Sequence, residues 1–142
     1  MTALHQASCV AIGDRAVLIE GPPGSGKSSL ALALIDRGAV LVGDDGVLLE
    51  PHAGRLCASP APTIAGLIEV RNVGLLPYPT AARIPLALVL QLDSAAPRFI
   101  DAPEIAYRAG IAVPLVRLWP DSPVLALRAE AALARWGAIE GE

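Results

Sequence analysis

The chain has 142 residues, a formal net charge of −3 and an apolar content of 54%. This length and composition predict one domain, residues 1–142, with a single core, and they exclude a disordered chain. The longest stretches without a charged residue, such as Leu56–Ile68, are well short of the roughly 20 residues of a membrane-spanning helix. The acidic balance argues against nucleic acid as a partner. Two cysteines without a disulfide pattern, and no basic leader before an apolar stretch, predict a cytoplasmic protein.

The first half of the chain predicts a hairpin, a loop and a helix. Apolar runs at 7–12 and 15–20 indicate two strands joined at Gly13-Asp14. A loop rich in Gly and Pro follows at 21–26. Ala and Leu then predict a helix over 27–37, which ends at the glycine that follows it.

The remainder predicts more strands and a last helix. The further strands are expected at 40–42, 46–50 (closed by turn residues 51–54), 67–70, 84–92 and 114–119. The clearest helix covers 123–136, with Ser122 as its cap, Pro123 in its first turn and Gly137 after its end. Strands that outnumber helices, without regular alternation, predict an α/β fold with a mixed sheet and few helices.

Residues 21–28 read GPPGSGKS and match the phosphate-binding pattern G-x-x-x-x-G-K-[ST]. The residues of this loop are Gly21, Pro22, Pro23, Gly24, Ser25, Gly26, Lys27 and Ser28. Glycines let backbone N–H groups turn inward around an anion, and the following helix points its positive end at the same place. We expect Lys27 to reach the phosphates of ATP and Ser28 to bind Mg²⁺. Lys27 is the only lysine beside ten arginines, which indicates that this position needs a compact ammonium.

Acidic residues follow two of the predicted strands. Asp44 and Asp45 come after VLVG, and an acid at a strand end near a phosphate loop holds the metal or orients the nucleophile. Adjacent carboxylates on an extended chain point to opposite faces, so only one faces the phosphates unless the chain turns there. Asp-Asp-Gly also favours a plain turn. Asp93, after the apolar run 84–92, is a competing metal ligand, and the pattern alone does not choose between them.

The stretch 21–45 resembles the catalytic domain of the HPr kinase/phosphorylase family. In that family a phosphate loop is followed by a helix ending in Arg-Gly and by a strand ending in an Asp pair, as in GKSSLALALIDRG and AVLVGDD here. His5 precedes the first strand, as a catalytic histidine does in the family. Residues 69–74, EVRNVG, resemble the family signature Glu-Ile-Arg-Gly-Leu-Gly.

The resemblance implies a P-loop kinase domain of the HPr kinase type. It implies ATP- and Mg²⁺-dependent phosphorylation of a serine on the phosphocarrier HPr or a nitrogen-related paralogue, by a homo-oligomer that is usually a hexamer. It assigns catalytic roles to Lys27, Asp44, Asp45, His5 and Arg98, and metal binding to Ser28 and Glu69. Asp45 is favoured over Asp44 as the base, and His5 would support that Asp.

Three departures from the family pattern refine these expectations. The chain begins almost at the catalytic His, so the resemblance is to a short form without the family's separate N-terminal domain. Asn72 replaces a signature glycine. The basic segment linked to dephosphorylation is RLWPDSP, 117–123, here. Because Asp121 would repel anions beside it, we expect a kinase with weak or absent phosphorylase activity.

Two other functions stay open at this point. A small-molecule P-loop kinase would need several arginines in a lid, and the arginines here are scattered. A regulatory ATP-binding module would need no proton acceptor, so the Asp pair favours a catalyst.

Overall fold

The computed structural model describes residues 2–62 and 66–139. The strands are β1 (Ala3–His5), β2 (Ser8–Ile12), β3 (Arg15–Glu20), β4 (Val40–Gly43), β5 (Val47–His52), β6 (Arg55–Pro60), β7 (Leu67–Val70), β8 (Gly74–Pro77), β9 (Ile84–Leu92), β10 (Glu104–Arg108) and β11 (Ile111–Leu118). The helices are α1 (Lys27–Asp36) and α2 (Leu125–Trp136).

Nine of these strands form one mixed sheet centred on β9. The order is β1-β5-β6-β9-β3-β2-β4, and β9 also pairs with β11, which pairs with β10. Strand β9 is parallel to β3 and β11 and antiparallel to β6. Because β2 is antiparallel to both β3 and β4, the strands β3, β4, β9 and β11 all end at the same edge of the sheet. Strands β7 and β8 form a separate hairpin.

The core lies on both faces of this sheet. Both helices pack on one face, where Val17 and Ile19 of β3 meet the buried residues of α1 and α2. On the other face, Ala16 and Leu18 of the same strand meet residues of β5, β6 and β11. The strand therefore has apolar side chains on both sides, as expected for a strand at the centre of a sheet. No helix of the described residues is long and apolar enough to cross a membrane.

The predicted α/β class with a mixed sheet is confirmed, but four strands were not predicted. Strand β1 has three residues, β6 ends in Pro60, β8 is mostly exposed, and β10 has only five residues with a charged residue at each end, so none shows a clear apolar period. Helix α2 begins at Leu125, later than predicted, and its N-cap residue, Val124, makes no side-chain cap. Ser122 instead accepts a hydrogen bond from the N–H of Val124 at 3.2 Å, in the turn before the helix.

Candidate functional site

The phosphate-binding motif lies at the sheet edge where β3 ends and α1 begins. Gly24 and Gly26 have φ angles of 78° and 99°, a region that side chains with a Cβ rarely enter. The Nζ of Lys27 donates to the backbone oxygens of Gly21 at 2.9 Å and Pro22 at 3.2 Å. The predicted strand–loop–helix arrangement is therefore present, with the ammonium folded back over the loop.

Asp44 is buried and holds three separate segments together. One carboxylate oxygen accepts hydrogen bonds from the hydroxyls of Ser8 at 2.8 Å and Ser28 at 2.6 Å. The other oxygen accepts the backbone N–H of Glu69 at 3.0 Å. The Asp44 carboxylate thus holds Ser28 of the phosphate loop and Glu69 of β7 in place at the end of β4. Ser8 was missed by the sequence analysis because a lone serine at the start of an apolar strand carries no signal.

Asp45 differs from Asp44 in every respect that matters for chemistry. Its φ angle is 59°, so the chain turns sharply after β4 and both carboxylates line the same cavity. Asp45 is exposed, and no hydrogen bond or ion pair to its side chain exists within residues 2–62 and 66–139. The turn also depends on Gly43, where an added Cβ would overlap the backbone oxygen of Gly46. The turn and the functional interpretation of the Asp pair are therefore compatible.

The cavity in front of the loop has a volume of about 400 Å³, a usual size for a small-molecule site. Its lining includes Gln6, Ser8, Lys27, Ser28, Asp44, Asp45, Glu69 and Arg71. Hydroxyl and carboxylate oxygens are the donors that Mg²⁺ prefers, and it commonly takes only one or two protein carboxylates plus phosphate oxygens. No cage of three or more His, Cys, Asp or Glu side chains occurs in the described part of the chain. The residues present therefore fit a nucleotide-bound Mg²⁺.

His5 does not lie where the resemblance implied. Its Nε2 is 3.4 Å from Oε2 of Glu20, and it lines a neighbouring open cavity with Glu20 and Gly21. No hydrogen bond or ion pair joins it to Asp44 or Asp45 in the described ranges. The partner of His5 is Glu20, the last residue of β3, and the expected support of Asp45 by His5 stays a prediction. Arg108 binds the same Glu20 through two nitrogens, at 2.9 and 2.6 Å, and the Glu20 hydrogen bond raises the pKa of Arg108.

Arg98 also lies elsewhere. It lines a cavity between β11 and α2, beside Phe99 and Trp136, and not the cavity in front of the loop. The segment after β9 runs toward α2, so the structure does not bring Arg98 together with the loop residues, and its catalytic role stays a prediction. Arg71 is the arginine that lines the loop cavity, on the segment that resembles the family signature. Glu69 lines the same cavity, and no ion pair is found between these two side chains.

Asp93 is separated from the loop cavity. Its carboxylate accepts Arg117 at 3.1 Å and the N–H of Ala95 at 2.8 Å. It lines a second cavity on the other flank of the loop, together with Asp121. Of the two acids between which the sequence did not choose, Asp44 and not Asp93 contacts Ser28.

The comparison with known proteins agrees with this architecture. A family model described as "HPr Serine kinase C-terminal domain" matches residues 1–81, more than half of the chain. The chain belongs to this family. Its fold is similar to the HPr(Ser) kinase/phosphatase of Coxiella burnetii, with a TM-score of 0.82 and 27% identity, over 93% of this chain and 88% of that one.

Curated relatives match the first part of the chain. The HPr kinase/phosphorylase of Clostridium tetani is 42% identical over 64 residues, which is 45% of this chain and 21% of that protein. The HPr kinase/phosphorylase of an Exiguobacterium species is 42% identical over 77 residues, 54% of this chain and 24% of that protein. The matched segment therefore spans less than a quarter of the length of these relatives.

Proposed function

We propose that this chain transfers the γ-phosphoryl group of ATP, bound with Mg²⁺, to a serine hydroxyl of the phosphocarrier HPr or a nitrogen-related paralogue. The observation that supports this most is the contrast within the Asp pair. Asp44 is buried and fully hydrogen-bonded, whereas Asp45 is exposed, unpaired in the described residues and directed to the same cavity. A binding module needs no free carboxylate beside its phosphate loop, but a kinase needs a proton acceptor there.

In this proposal the loop and α1 hold the phosphates. Backbone N–H groups around Gly24 and Gly26 and the first turn of α1 form an anion site. Lys27 exchanges its two carbonyl partners for phosphate oxygens, which requires only side-chain rotation. Arg71, which lines the same cavity, would add a second positive charge to it.

Ser28 and Glu69 would hold Mg²⁺, which when bound neutralises charge on the phosphates. Asp44 would act through Ser28, whose hydroxyl it already orients at 2.6 Å. Because that hydroxyl donates its proton to Asp44, its oxygen lone pairs are left for a cation. In this proposal the Asp44 carboxylate positions Ser28, the metal ligand that the sequence motif predicts.

Asp45 is proposed as the base. It accepts the proton of the serine hydroxyl while the serine oxygen forms a bond to the γ-phosphorus. The bond between that phosphorus and the bridging oxygen breaks, and ADP leaves with the electron pair. Asp45 is suited to this because its carboxylate has no other hydrogen-bond partner in the described residues and an acceptor protein can reach it from solvent.

The resemblance also supports a homo-oligomer, a hexamer by analogy, as part of this proposal. Weak or absent phosphorylase activity stays a prediction, and Asp121, on which it was based, lies on the opposite flank of the loop from Asp45.

The test is transfer of label from [γ-³²P]ATP to purified HPr, with and without Mg²⁺. We expect Mg²⁺-dependent labelling of HPr and none of a variant whose acceptor serine is alanine. Nucleotide binding without any transfer would favour the regulatory ATP-binding module. Labelling of a small molecule instead of HPr would favour the small-molecule kinase.

A further inference from the structure

A second cavity of about 400 Å³ lies on the other flank of the phosphate loop, at the ends of β9 and β11. The loop residues Pro23 and Gly24 line both this cavity and the one that contains Asp45. The two cavities are therefore neighbours on either side of the loop tip, and one extended ligand could span the loop and enter both. This second cavity has no part in the proposed transfer chemistry.

The charges in the two cavities differ in kind. The first contains Lys27, Arg71 and the amino-terminal end of α1, which suit phosphates. In the second the only cation among its lining residues is Arg117, which is already bound by Asp93 at 3.1 Å and by Glu104 at 2.7 Å. The hydrogen bonds that Arg117 donates, first to Glu104 and then to Asp93, raise the pKa of Arg117.

Asp121 adds an uncompensated negative charge to the second cavity. It is exposed, and no hydrogen bond or ion pair to its side chain exists within the described residues. A phosphate group would be repelled there, whereas a neutral group with hydroxyl or amino donors would be attracted. Ser25 is among the lining residues of the same cavity, and its buried hydroxyl lacks a hydrogen-bond partner in the described residues.

We propose that this second cavity binds the nucleoside of the donor nucleotide, with Asp121 accepting a hydrogen bond from a ribose hydroxyl. A carboxylate that binds ribose hydroxyls is a recurrent solution in nucleotide sites. The inference rests on the proposed function, because it takes a nucleoside triphosphate as the ligand whose phosphates occupy the first cavity. It orients that ligand across the loop, with the base toward β9 and β11 and the γ-phosphate toward Asp45.

Calorimetric titration with Mg·ATP and with Mg·tripolyphosphate, which lacks a nucleoside, separates the two cavities. We expect the wild-type chain to bind Mg·ATP at least about tenfold more tightly than Mg·tripolyphosphate. Asp121→Ala should weaken Mg·ATP binding about five- to tenfold, the effect of losing one hydrogen bond to a solvent-exposed group. The same substitution should leave tripolyphosphate affinity within about twofold, and Asp101→Ala, an exposed Asp outside both cavities, should change neither.

Titration with 2′-deoxy-ATP and 3′-deoxy-ATP identifies the ribose contact. The wild-type chain should bind one of these two deoxynucleotides about five- to tenfold more weakly than ATP. Asp121→Ala should bind that deoxynucleotide and ATP with equal affinity, because the variant has already lost the contact that the missing hydroxyl would make. Equal affinity of the wild-type chain for Mg·ATP and Mg·tripolyphosphate would overturn the proposal. So would an equal loss of both ligands in Asp121→Ala. Failure of both ligands to bind the wild-type chain would overturn the proposed function as well.

Discussion

Replacing each Asp of the pair by Asn should separate a structural role from a chemical one. Asp44 is 6% exposed and accepts three hydrogen bonds, two on one oxygen and one on the other. In Asp44→Asn the amide oxygen can keep the two serine donors as weaker neutral bonds, but its NH₂ then faces the N–H of Glu69. One bond lost and two weakened should cost about 2–3 kcal/mol. For a chain of this length that lowers the melting temperature by roughly 6–10 °C.

Asp45→Asn should have the opposite profile. The side chain is exposed and unpaired in the described residues, and Asn tolerates the φ of 59°, so the melting temperature should stay within about 2 °C. Phosphoryl transfer should fall by about 10²–10⁴-fold, because the amide cannot take a proton. Thermal unfolding followed by circular dichroism, combined with the transfer assay, measures both. The reasoning is refuted if Asp45→Asn unfolds several degrees earlier than Asp44→Asn, or if it retains wild-type turnover.

Three further experiments test the geometry. Lys27→Ala should lower phosphoryl transfer by at least about 10²–10³-fold. Lys27→Arg should fail too, because a planar guanidinium does not fit where the ammonium lies over two loop carbonyls. Near-normal turnover of the Arg variant in a steady-state assay would contradict this. Gly43→Ala should abolish transfer and lower the melting temperature, because its Cβ would overlap the backbone. The control Gly13→Ala, with φ 64° and open space around its Cβ, should lower the free energy of unfolding by about 1–2 kcal/mol and keep activity. Equal loss of activity in the two variants would argue against the turn. Burial raises the pKa of the Cys9 thiol far above its usual range. A Cys57→Ser chain, in which Cys9 is the remaining cysteine, should therefore react with a thiol reagent only on unfolding. Rapid labelling of this native chain near neutral pH would show that β2, which contains Cys9, is open.

The phosphate loop and the core strands could be predicted because their signals are local. A glycine pattern with one lysine between a strand and a helix has few other uses, and β9 is apolar except at Gln91 because it lies at the centre of the sheet. The edge strand β10 was missed because it is short, mostly exposed and has a charged residue at each end.

The rest of the site depends on contacts between distant segments. Ser8 meets Asp44 only because β2 and β4 pair, and His5 is bound by Glu20 only because β1 brings it beside the end of β3. The outcome at Asp44 and Asp45 rests on one positive φ angle, which the sequence Asp-Asp-Gly permits but does not require. Strand pairing and a single turn thus place Asp44 among three hydrogen-bond donors and leave Asp45 exposed.

The most direct test of the account is identification of the phosphorylated residue after reaction of the chain with Mg·ATP and HPr, by tandem mass spectrometry of the HPr peptides. The account predicts a single phosphoserine on HPr, formed by the wild-type chain and absent with Asp45→Asn. HPr that stays unmodified while ATP is bound, or phosphate found on this chain and not on HPr, would contradict it.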